Sequence, residues 1–190
     1  SGSFRRALAR LDASGLWVTQ IASFNYRKIA LVHLTERGAG LLQEAGVAVV
    51  ASEWERAELA HALRGDAGRG GVQGLAPHTA AICTFLHHAR QRGYTTEACP
   101  VVGDDTPAAP DAAVARGGLT LNTEVQLHGG EAHRKAQKWR NQERLQGFVA
   151  LCAATPAWAI RLARQAQDQG VARGVATDLG TLAGRAPAAL

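Results

Sequence analysis

The chain is 190 residues long, with 46% hydrophobic and 19% charged residues and a formal net charge of +5. This length accommodates one medium-sized domain or two small ones, and the composition is that of a globular protein. No apolar run approaches the roughly 20 residues that a membrane-spanning helix needs, and no secretory signal is visible, so we expect no membrane partner. The positive net charge favours an anionic partner, such as DNA.

Three cysteines are present, Cys83, Cys99 and Cys152, and no two of them form a CxxC pair. Their odd number and wide spacing argue against a disulfide framework or a structural zinc site, and favour a reducing, cytoplasmic location. The chain begins Ser-Gly-Ser and contains no methionine. We interpret this beginning as a fragment with the remnant of a cleaved tag, so further residues are expected upstream.

The first predicted elements are a helix, two strands and a second helix. Residues 4–12 predict a basic amphipathic helix, because apolar side chains recur there at helical spacing and a glycine follows its end. Two strands are predicted at residues 16–21 and 28–34, with a loop between them. Residues 36–45 then predict a helix with Thr35 as its N-cap.

This order of elements resembles the second half of a winged helix-turn-helix domain. The matching segments are Arg10–Leu16 (RLDASGL) and Leu34–Gly38 (LTERG). In that family the recognition helix enters the major groove of DNA and the wing contacts the backbone. The resemblance implies that residues 3–13 form the recognition helix and that the earlier helices of the domain precede Ser1.

Charge in the first 40 residues agrees with DNA binding, since six basic residues stand against two acidic ones. On the helix, Arg5, Arg6 and Arg10 are the candidate contacts to phosphates or bases. On the wing, the candidates are Arg27 and Lys28. The alternative is that these are solvated charges on a wing-type module used for dimerisation, which makes a homodimer a second candidate partner.

The middle of the chain predicts two helices separated by a connector. The helices are expected at residues 52–63 and 77–92, and the connector between them is rich in glycine. We therefore expect a winged-helix-type module at residues 1–64, a flexible connector at 65–76 and a second domain at 77–190.

The second domain predicts a mixed sheet flanked by helices. Its strands are expected at residues 94–99, 111–115, 118–127, 147–153 and 174–177, and its helices at residues 131–145 and 156–167. The order β-β-β-α-β-α-β is typical of an α/β sheet with helices on its faces. The predicted fold class is α/β for this domain and α+β for the chain as a whole.

Two acidic residues stand out in this domain. Asp111 follows a proline, and Glu124 lies in the next predicted strand, after a turn at Gly117 and Gly118. A hairpin would place the two carboxylates on neighbouring strands, where they could share one Mg²⁺, because hard divalent cations prefer oxygen ligands. A metal held there can activate water for attack on a phosphodiester. The alternative is a turn residue after proline and an outward-facing strand residue.

The pair resembles the PD-(D/E)xK signature of the restriction-endonuclease-like superfamily, whose core has the same order of elements. The resemblance implies a catalytic metal site formed by Asp111 and Glu124, with Mg²⁺ or Mn²⁺ as cofactor and Glu97 as a further acidic ligand. Gln126 stands where the signature has lysine, and a glutamine supplies no positive charge. In some related nucleases the lysine lies on the following helix instead.

The helix predicted at residues 131–145 is basic and carries two candidates for that lysine, Lys135 and Lys138. On the same helix, Arg134 and Arg140 are candidate phosphate contacts. The alternative is that the site has lost its chemistry and that the fold only binds DNA.

A winged helix, a long helix, a Pro-Asp pair, a Glu-x-Gln strand and a lysine-containing helix together resemble the bacterial replication-relaxation family, which is associated with plasmids and mobile elements. The resemblance implies DNA transactions. Two functions are therefore expected: a metal-dependent DNA endonuclease, or a non-catalytic regulator of replication or transcription of a plasmid or mobile element. A third is a wing-mediated adaptor that binds a partner protein.

Overall fold

A computed structural model describes residues 2–24, 27–63, 71–100, 109–127 and 132–184, with the backbone alone at 4, 11, 20–24, 27–31, 71–75 and 132–137. The protein has an α+β architecture that divides into two compact units, Ser1–Ser52 and Glu53–Leu190. No helix among the described residues is both long enough and apolar enough to cross a membrane.

Where the structure describes it, the first unit contains two helices and a two-stranded antiparallel sheet. Its elements are α1 (Gly2–Ala13), β1 (Trp17–Phe24), β2 (Arg27–Leu34) and α2 (Glu36–Glu44). This is the predicted order, with strands longer than predicted because pairing continues from Trp17 and Leu34 as far as Phe24 and Arg27.

Thr35 caps α2, as the sequence predicts. Its side-chain oxygen accepts a hydrogen bond from the backbone N–H of Gly38, 3.1 Å away, and so satisfies one of the unpaired N–H groups at the helix start. The Thr35 hydroxyl also donates to the carbonyl oxygen of Gly15, at 2.8 Å, which ties the start of α2 to the turn after α1.

The second unit contains five helices and a five-stranded sheet among its described residues. Its elements are α3 (Glu53–Leu63), α4 (Gly71–Arg90), β3 (Thr95–Ala98), β4 (Ala112–Arg116), β5 (Leu119–Gln126), α5 (Ala132–Glu143), β6 (Phe148–Ala153), α6 (Pro156–Asp168), β7 (Gly174–Asp178) and α7 (Leu179–Gly184). The strands lie in the order β3-β4-β5-β6-β7. Pairing is antiparallel from β3 to β5 and parallel from β5 to β7, so the sheet is mixed. From β3 to β7 the order of elements is the predicted one; α7 was not expected.

Helices pack against this sheet and form its core. In α4, Ile82 and Leu86 are fully buried, and the helix contacts β3, β4 and β5. A second cluster joins Trp139 of α5 and Leu162 of α6 to the buried side chains of β6, including Leu151. Burial of large apolar side chains supplies most of the stabilisation of such a layer and holds α4 and α5 against the strands that they cover.

Two features of the middle segment differ from the sequence-based expectation. The long helix begins at Gly71 rather than at Pro77, so residues 71–76 of the expected connector are helical, while 64–70 lie outside the described residues. Glycine lowers helix stability by only about 1 kcal/mol per residue relative to alanine, which a long packed helix can offset. In addition, α3 contacts α4 and β3, so the second compact unit begins at Glu53.

The turn between β4 and β5 sets the register of the hairpin. Gly117 and Gly118 have φ values of +57° and +79°, the left-handed conformation that both central residues of a type I′ turn require. The resulting register pairs Ala112 with Thr123. Asp111 directly precedes β4, and its backbone N–H donates to the carbonyl oxygen of Thr123, the residue before Glu124.

Candidate active site

Asp111 and Glu124 are buried side by side at the open end of the β4–β5 hairpin. Their side chains are 3% and 1% exposed, and the two carboxyl groups are close enough to share a hydrogen bond. The backbone N–H of Val125 donates to Oδ2 of Asp111, which brings the Asp111 side chain next to Glu124, the residue before Val125. The structure thus brings together the two acidic residues that the hairpin pattern paired.

Asp111 is held by the backbone of β5 and by α4. Its Oδ2 atom accepts a hydrogen bond from the backbone N–H of Val125 at 2.8 Å. The Nε2 atom of His78 lies 3.3 Å from the same Oδ2 and 2.9 Å from the carbonyl oxygen of Val125. Because both neighbours of Nε2 are acceptors, that nitrogen is assigned a proton.

Glu124 is held by two side chains of α5. The ammonium group of Lys138 donates to Oε1 of Glu124, and the amide of Gln142 donates to Oε2 at 2.8 Å. The two donors are four residues apart and therefore lie on one face of the helix. Between them Trp139 is fully buried in the core and anchors this part of α5. A lysine from the following helix thus reaches the site, and it is Lys138.

Electrostatics separates the two carboxyl groups. Burial, together with the carboxylate of Asp111, raises the pKa of Glu124 to about 8, even though Lys138 acts in the opposite direction. Burial would also raise the pKa of Asp111, but the hydrogen bond and positive charge of His78 outweigh it and hold that pKa well below its usual value. Two neighbouring buried carboxyl groups cannot ionise with equal ease, so Asp111 carries the negative charge and Glu124 is the group that gains or loses a proton near neutral pH.

His78 complements Asp111. Burial alone would lower the pKa of the imidazole, but the hydrogen bond and the negative charge of Asp111 raise it to about 9. The His78–Asp111 pair is therefore ionic at neutral pH. The neighbouring Lys138–Glu124 hydrogen bond involves the carboxyl group that gains or loses its proton in that range.

The oxygen atoms at the site suit a hard divalent cation. Besides the two carboxylates, the Oε1 atom of Gln142, whose amide nitrogen donates to Glu124, is buried and accepts no hydrogen bond from any described residue. The same holds for Oε1 of Gln126, two residues after Glu124 on β5. Carboxylate and amide oxygens are the ligands that Mg²⁺ and related ions prefer. The described residues contain no cluster of three or more His, Cys, Asp or Glu side chains that could hold a metal ion. An ion bound by Asp111 and Glu124 would therefore complete its ligands with amide oxygens or water.

The other predicted site residues of the second unit take varied positions. Glu97 is exposed on β3, opposite Ala113 of β4. Arg140 is exposed on α5 and donates to the side-chain oxygen of Gln169 at 3.4 Å. The backbones of Arg134 and Lys135 lie in α5, but their side chains are outside the described residues.

In the first unit, the three arginines expected to contact DNA are exposed along α1. Arg6 donates to the carbonyl oxygen of Gly2 at 3.3 Å, while Arg5 and Arg10 extend from the same helix. The side chains of the two wing candidates, Arg27 and Lys28 in β2, lie outside the described residues.

Sequence reasoning missed two residues of the site, His78 and Gln142. The position of Gln142, four residues after Lys138 on a polar helix face, was a usable local signal. For His78 we find no such signal, because its contacts with Asp111 and Val125 depend on how α4 packs on the hairpin. Comparison of the chain with protein-family models, with curated proteins and with solved structures finds no match.

Proposed function

We propose that the protein binds DNA and that its second unit is a metal-dependent DNA endonuclease. The observation that carries this proposal is the meeting of Asp111, at the start of β4, and Glu124 of β5 with Lys138 on the helix that follows. Mg²⁺ or Mn²⁺ bound there would supply a Lewis acid and an activated water for attack on a phosphodiester. The donor set described above fits such an ion.

The side chains of the site would divide the work. Asp111 is ionised and rigidly held, so it offers a preorganised anionic ligand. Glu124 offers the second carboxylate and loses its proton when a cation binds, because the cation replaces the proton as the neighbouring positive charge. Gln142 fixes the orientation of Glu124.

Lys138 takes the role that the missing lysine of β5 would have had. Its side chain is 38% exposed, so the ammonium group contacts the buried Glu124 from the side of the site that solvent reaches. A preorganised positive charge next to a phosphate stabilises the extra negative charge of the transition state by several kcal/mol. In this proposal Gln126 contributes its amide oxygen and Lys138 contributes the charge.

DNA binding is proposed for both units. The exposed arginines of α1 support a recognition helix in the first unit, with Arg27 and Lys28 as wing contacts. In the second unit, Arg134, Lys135 and Arg140 on α5 are proposed to contact phosphates near the carboxylate pair. The three cysteines are free, which agrees with the reducing, cytoplasmic setting that we propose.

Incubation with supercoiled, linear and single-stranded DNA in Mg²⁺ or Mn²⁺ tests the proposal. We expect cleavage that EDTA abolishes and that Asp111→Asn removes. Glu97→Gln is the matched control, because Glu97 is acidic, exposed and on the neighbouring strand. Loss of cleavage in Glu97→Gln would indicate that Glu97 is a third ligand of the metal ion. An unchanged cleavage pattern in Asp111→Asn would end the proposal.

A second candidate function is non-catalytic regulation of replication or transcription of a plasmid or mobile element. The observation that favours it is that both oxygens of Glu124 already accept hydrogen bonds from Lys138 and Gln142. A carboxyl group whose two oxygens already accept hydrogen bonds within the protein gains less free energy from binding a metal ion. This function predicts DNA binding that weakens as salt rises, with no cleavage under any metal condition.

A homodimer is a further candidate partner. Among the residues of the first unit whose side chains the structure describes, only Gly38 is buried, while Val18, Leu41 and Val50 are exposed. Apolar side chains left uncovered in this way favour association of the first unit with another protein surface. Light scattering across a concentration series would report a mass of two chains if the homodimer forms, and of one chain if it does not.

A further inference from the structure

We propose that His78 is a positioning residue that fixes the Asp111 carboxylate in the arrangement that binds the divalent cation, with the Val125 carbonyl as the second contact that holds the ring. This inference rests on the proposed function, since it assigns a role to His78 at the same site. No sequence motif pointed to His78, and its placement comes from the packing of α4 against the hairpin.

The contacts of His78 join the side chain of Asp111, just before β4, to the backbone of Val125 in β5. Its Nε2 lies 2.9 Å from the carbonyl oxygen of Val125 and 3.3 Å from Oδ2 of Asp111. The backbone N–H of Val125 donates to the same Oδ2 at 2.8 Å. The Nε2–H group of His78 and the backbone N–H of Val125 therefore both hold Oδ2 of Asp111. Glu124 is the residue before Val125, so the held oxygen lies close to the second carboxyl group.

The far side of the ring is held as well. The Nδ1 atom of His78 lies 3.4 Å from Nε2 of His61 on α3, and the two rings are tilted with centroids 5.2 Å apart. His61 is only 3% exposed. A ring held between a buried imidazole and a buried carboxylate has little freedom to turn, which is the property that a positioning group needs.

His78 acts on Asp111 and not directly on a metal ion. The ring nitrogen that faces the site is surrounded by two oxygen acceptors, so it carries a proton and has no lone pair to offer. Side chains that orient metal ligands by hydrogen bonding typically change metal affinity about 10-fold or more when they are removed.

Mn²⁺ affinity of the full chain, measured by electron paramagnetic resonance at one fixed pH, tests the role of His78. His78→Ala removes the N–H donor, and we expect affinity to fall by at least about 10-fold. His78→Gln keeps an N–H donor without the charge, and we expect it to stay within about 3-fold of the wild type, since position rather than charge is the property at issue. His87→Ala, on the exposed face of the same helix, is the matched control and should bind Mn²⁺ as the wild type does.

The outcomes separate this inference from the proposed nuclease. Unchanged affinity in His78→Ala, or an equal loss in His78→Ala and His78→Gln, would overturn the positioning role. Should His78→Ala fail to fold, a 10-fold loss in folded His78→Gln would still overturn it. A wild type that binds no Mn²⁺ would overturn both proposals. In a further outcome, the wild type binds Mn²⁺, His78→Ala alone binds it weakly, and the wild type cleaves no DNA. That outcome would end the nuclease proposal and leave the role of His78 supported.

Discussion

Glu124 is the residue whose surroundings say most about the site. A carboxyl group that is 1% exposed and next to a second carboxyl group is costly to ionise. Two donors from α5, Lys138 and Gln142, offset part of that cost. An apolar side chain would fill a purely structural position at a lower cost in free energy. The presence of two buried carboxyl groups here therefore favours a chemical role for them.

Lys138 is expected to matter for cleavage more than for folding. In Lys138→Met the apolar stem remains and the charge is lost, and Glu124 can stay protonated, so we expect a folded protein. Cleavage should fall by about 100-fold or more, because a charge near the reacting phosphate is worth several kcal/mol. Single-turnover rates on a labelled duplex would measure this. Arg161→Met, which removes an exposed arginine that is not proposed to contact DNA, is the control and should reduce the rate far less.

The stability of the metal-free protein should depend on pH in a defined direction. Glu124 and His78 have raised pKa values, about 8 and 9, so the stabilisation from their protonated forms is complete below their ordinary pKa values and is lost as pH rises. Asp111 has a lowered pKa, so the stabilisation from its ionised form is present above its ordinary value and is lost as pH falls. We therefore expect the free energy of unfolding to be greatest near pH 4, between the ordinary pKa values of Asp111 and Glu124, and to decrease steadily toward pH 9.

Urea denaturation in EDTA at a series of pH values measures this profile. Glu124→Gln should flatten the decrease between about pH 5 and 8, because it removes the group that loses its proton there. A profile that is flat in the wild type, or equally steep in Glu124→Gln, would show that Glu124 does not titrate as its surroundings indicate.

At the same scale, the sequence was most informative where chemistry is local. A proline-aspartate pair, a glycine turn and a glutamate on the next strand were enough to predict that Asp111 and Glu124 meet. That Lys138 contacts Glu124 depends on how α5 rotates on the sheet, and the burial of Trp139 in the core contributes to that rotation. His78 could not be predicted because its partners lie on a distant hairpin.

Among the elements, α2 of the first unit shows how one small residue allows two elements to approach. A Cβ atom at Gly38 would overlap the carbonyl oxygen of Leu16, which is backbone and cannot move aside cheaply. Gly38→Ala should therefore destabilise the first unit by roughly 1–3 kcal/mol. Gly40→Ala, on the same helix with open space around it, should be neutral or stabilise by up to about 1 kcal/mol.

Hydrogen exchange of the β1 and β2 amides reads this effect in the first unit alone. Faster exchange in Gly38→Ala, with protection unchanged or increased in Gly40→Ala, is the expected pattern. Equal protection in the two variants would mean that α2 does not pack on the segment around Leu16 as closely as the structure has it.

The order of the elements was largely predictable, and their limits were less so. Apolar alternation and turn glycines indicated every strand of both sheets, and the cap at Thr35 was correct. The predicted start of α4 was wrong, because glycine and Pro77 lower helix stability locally. Packing along the whole helix determines where it begins. The short helix α7 has too few residues to show a periodic pattern.

For the whole molecule, the proposed function would divide DNA recognition and cleavage between the first and the second compact unit. Arg5, Arg6 and Arg10 are exposed together on α1. If each contacts a phosphate, replacing all three with Gln should reduce the salt dependence of DNA binding by up to about 3 units of slope in a plot of log affinity against log salt. Fluorescence anisotropy at several salt concentrations measures that slope.

A matched triple variant of the second unit controls for net charge. Arg56, Arg161 and Arg164 are exposed and are not proposed to contact DNA. Their replacement with Gln removes the same charge and should change the slope far less. If both triple variants lose affinity and slope equally, binding follows net charge, and α1 is not a recognition helix.

The most direct test of the central claim is plasmid cleavage by the wild type and by Glu124→Gln, side by side, in Mg²⁺ or Mn²⁺. Glutamine keeps the size of the side chain and removes its ability to carry a negative charge. If Asp111 and Glu124 hold a catalytic cation, the wild type converts supercoiled DNA to open-circular or linear forms, and Glu124→Gln loses at least about 100-fold of that rate. An intact plasmid with wild-type protein in either metal, under conditions where it binds DNA, would contradict the nuclease assignment and favour a regulator.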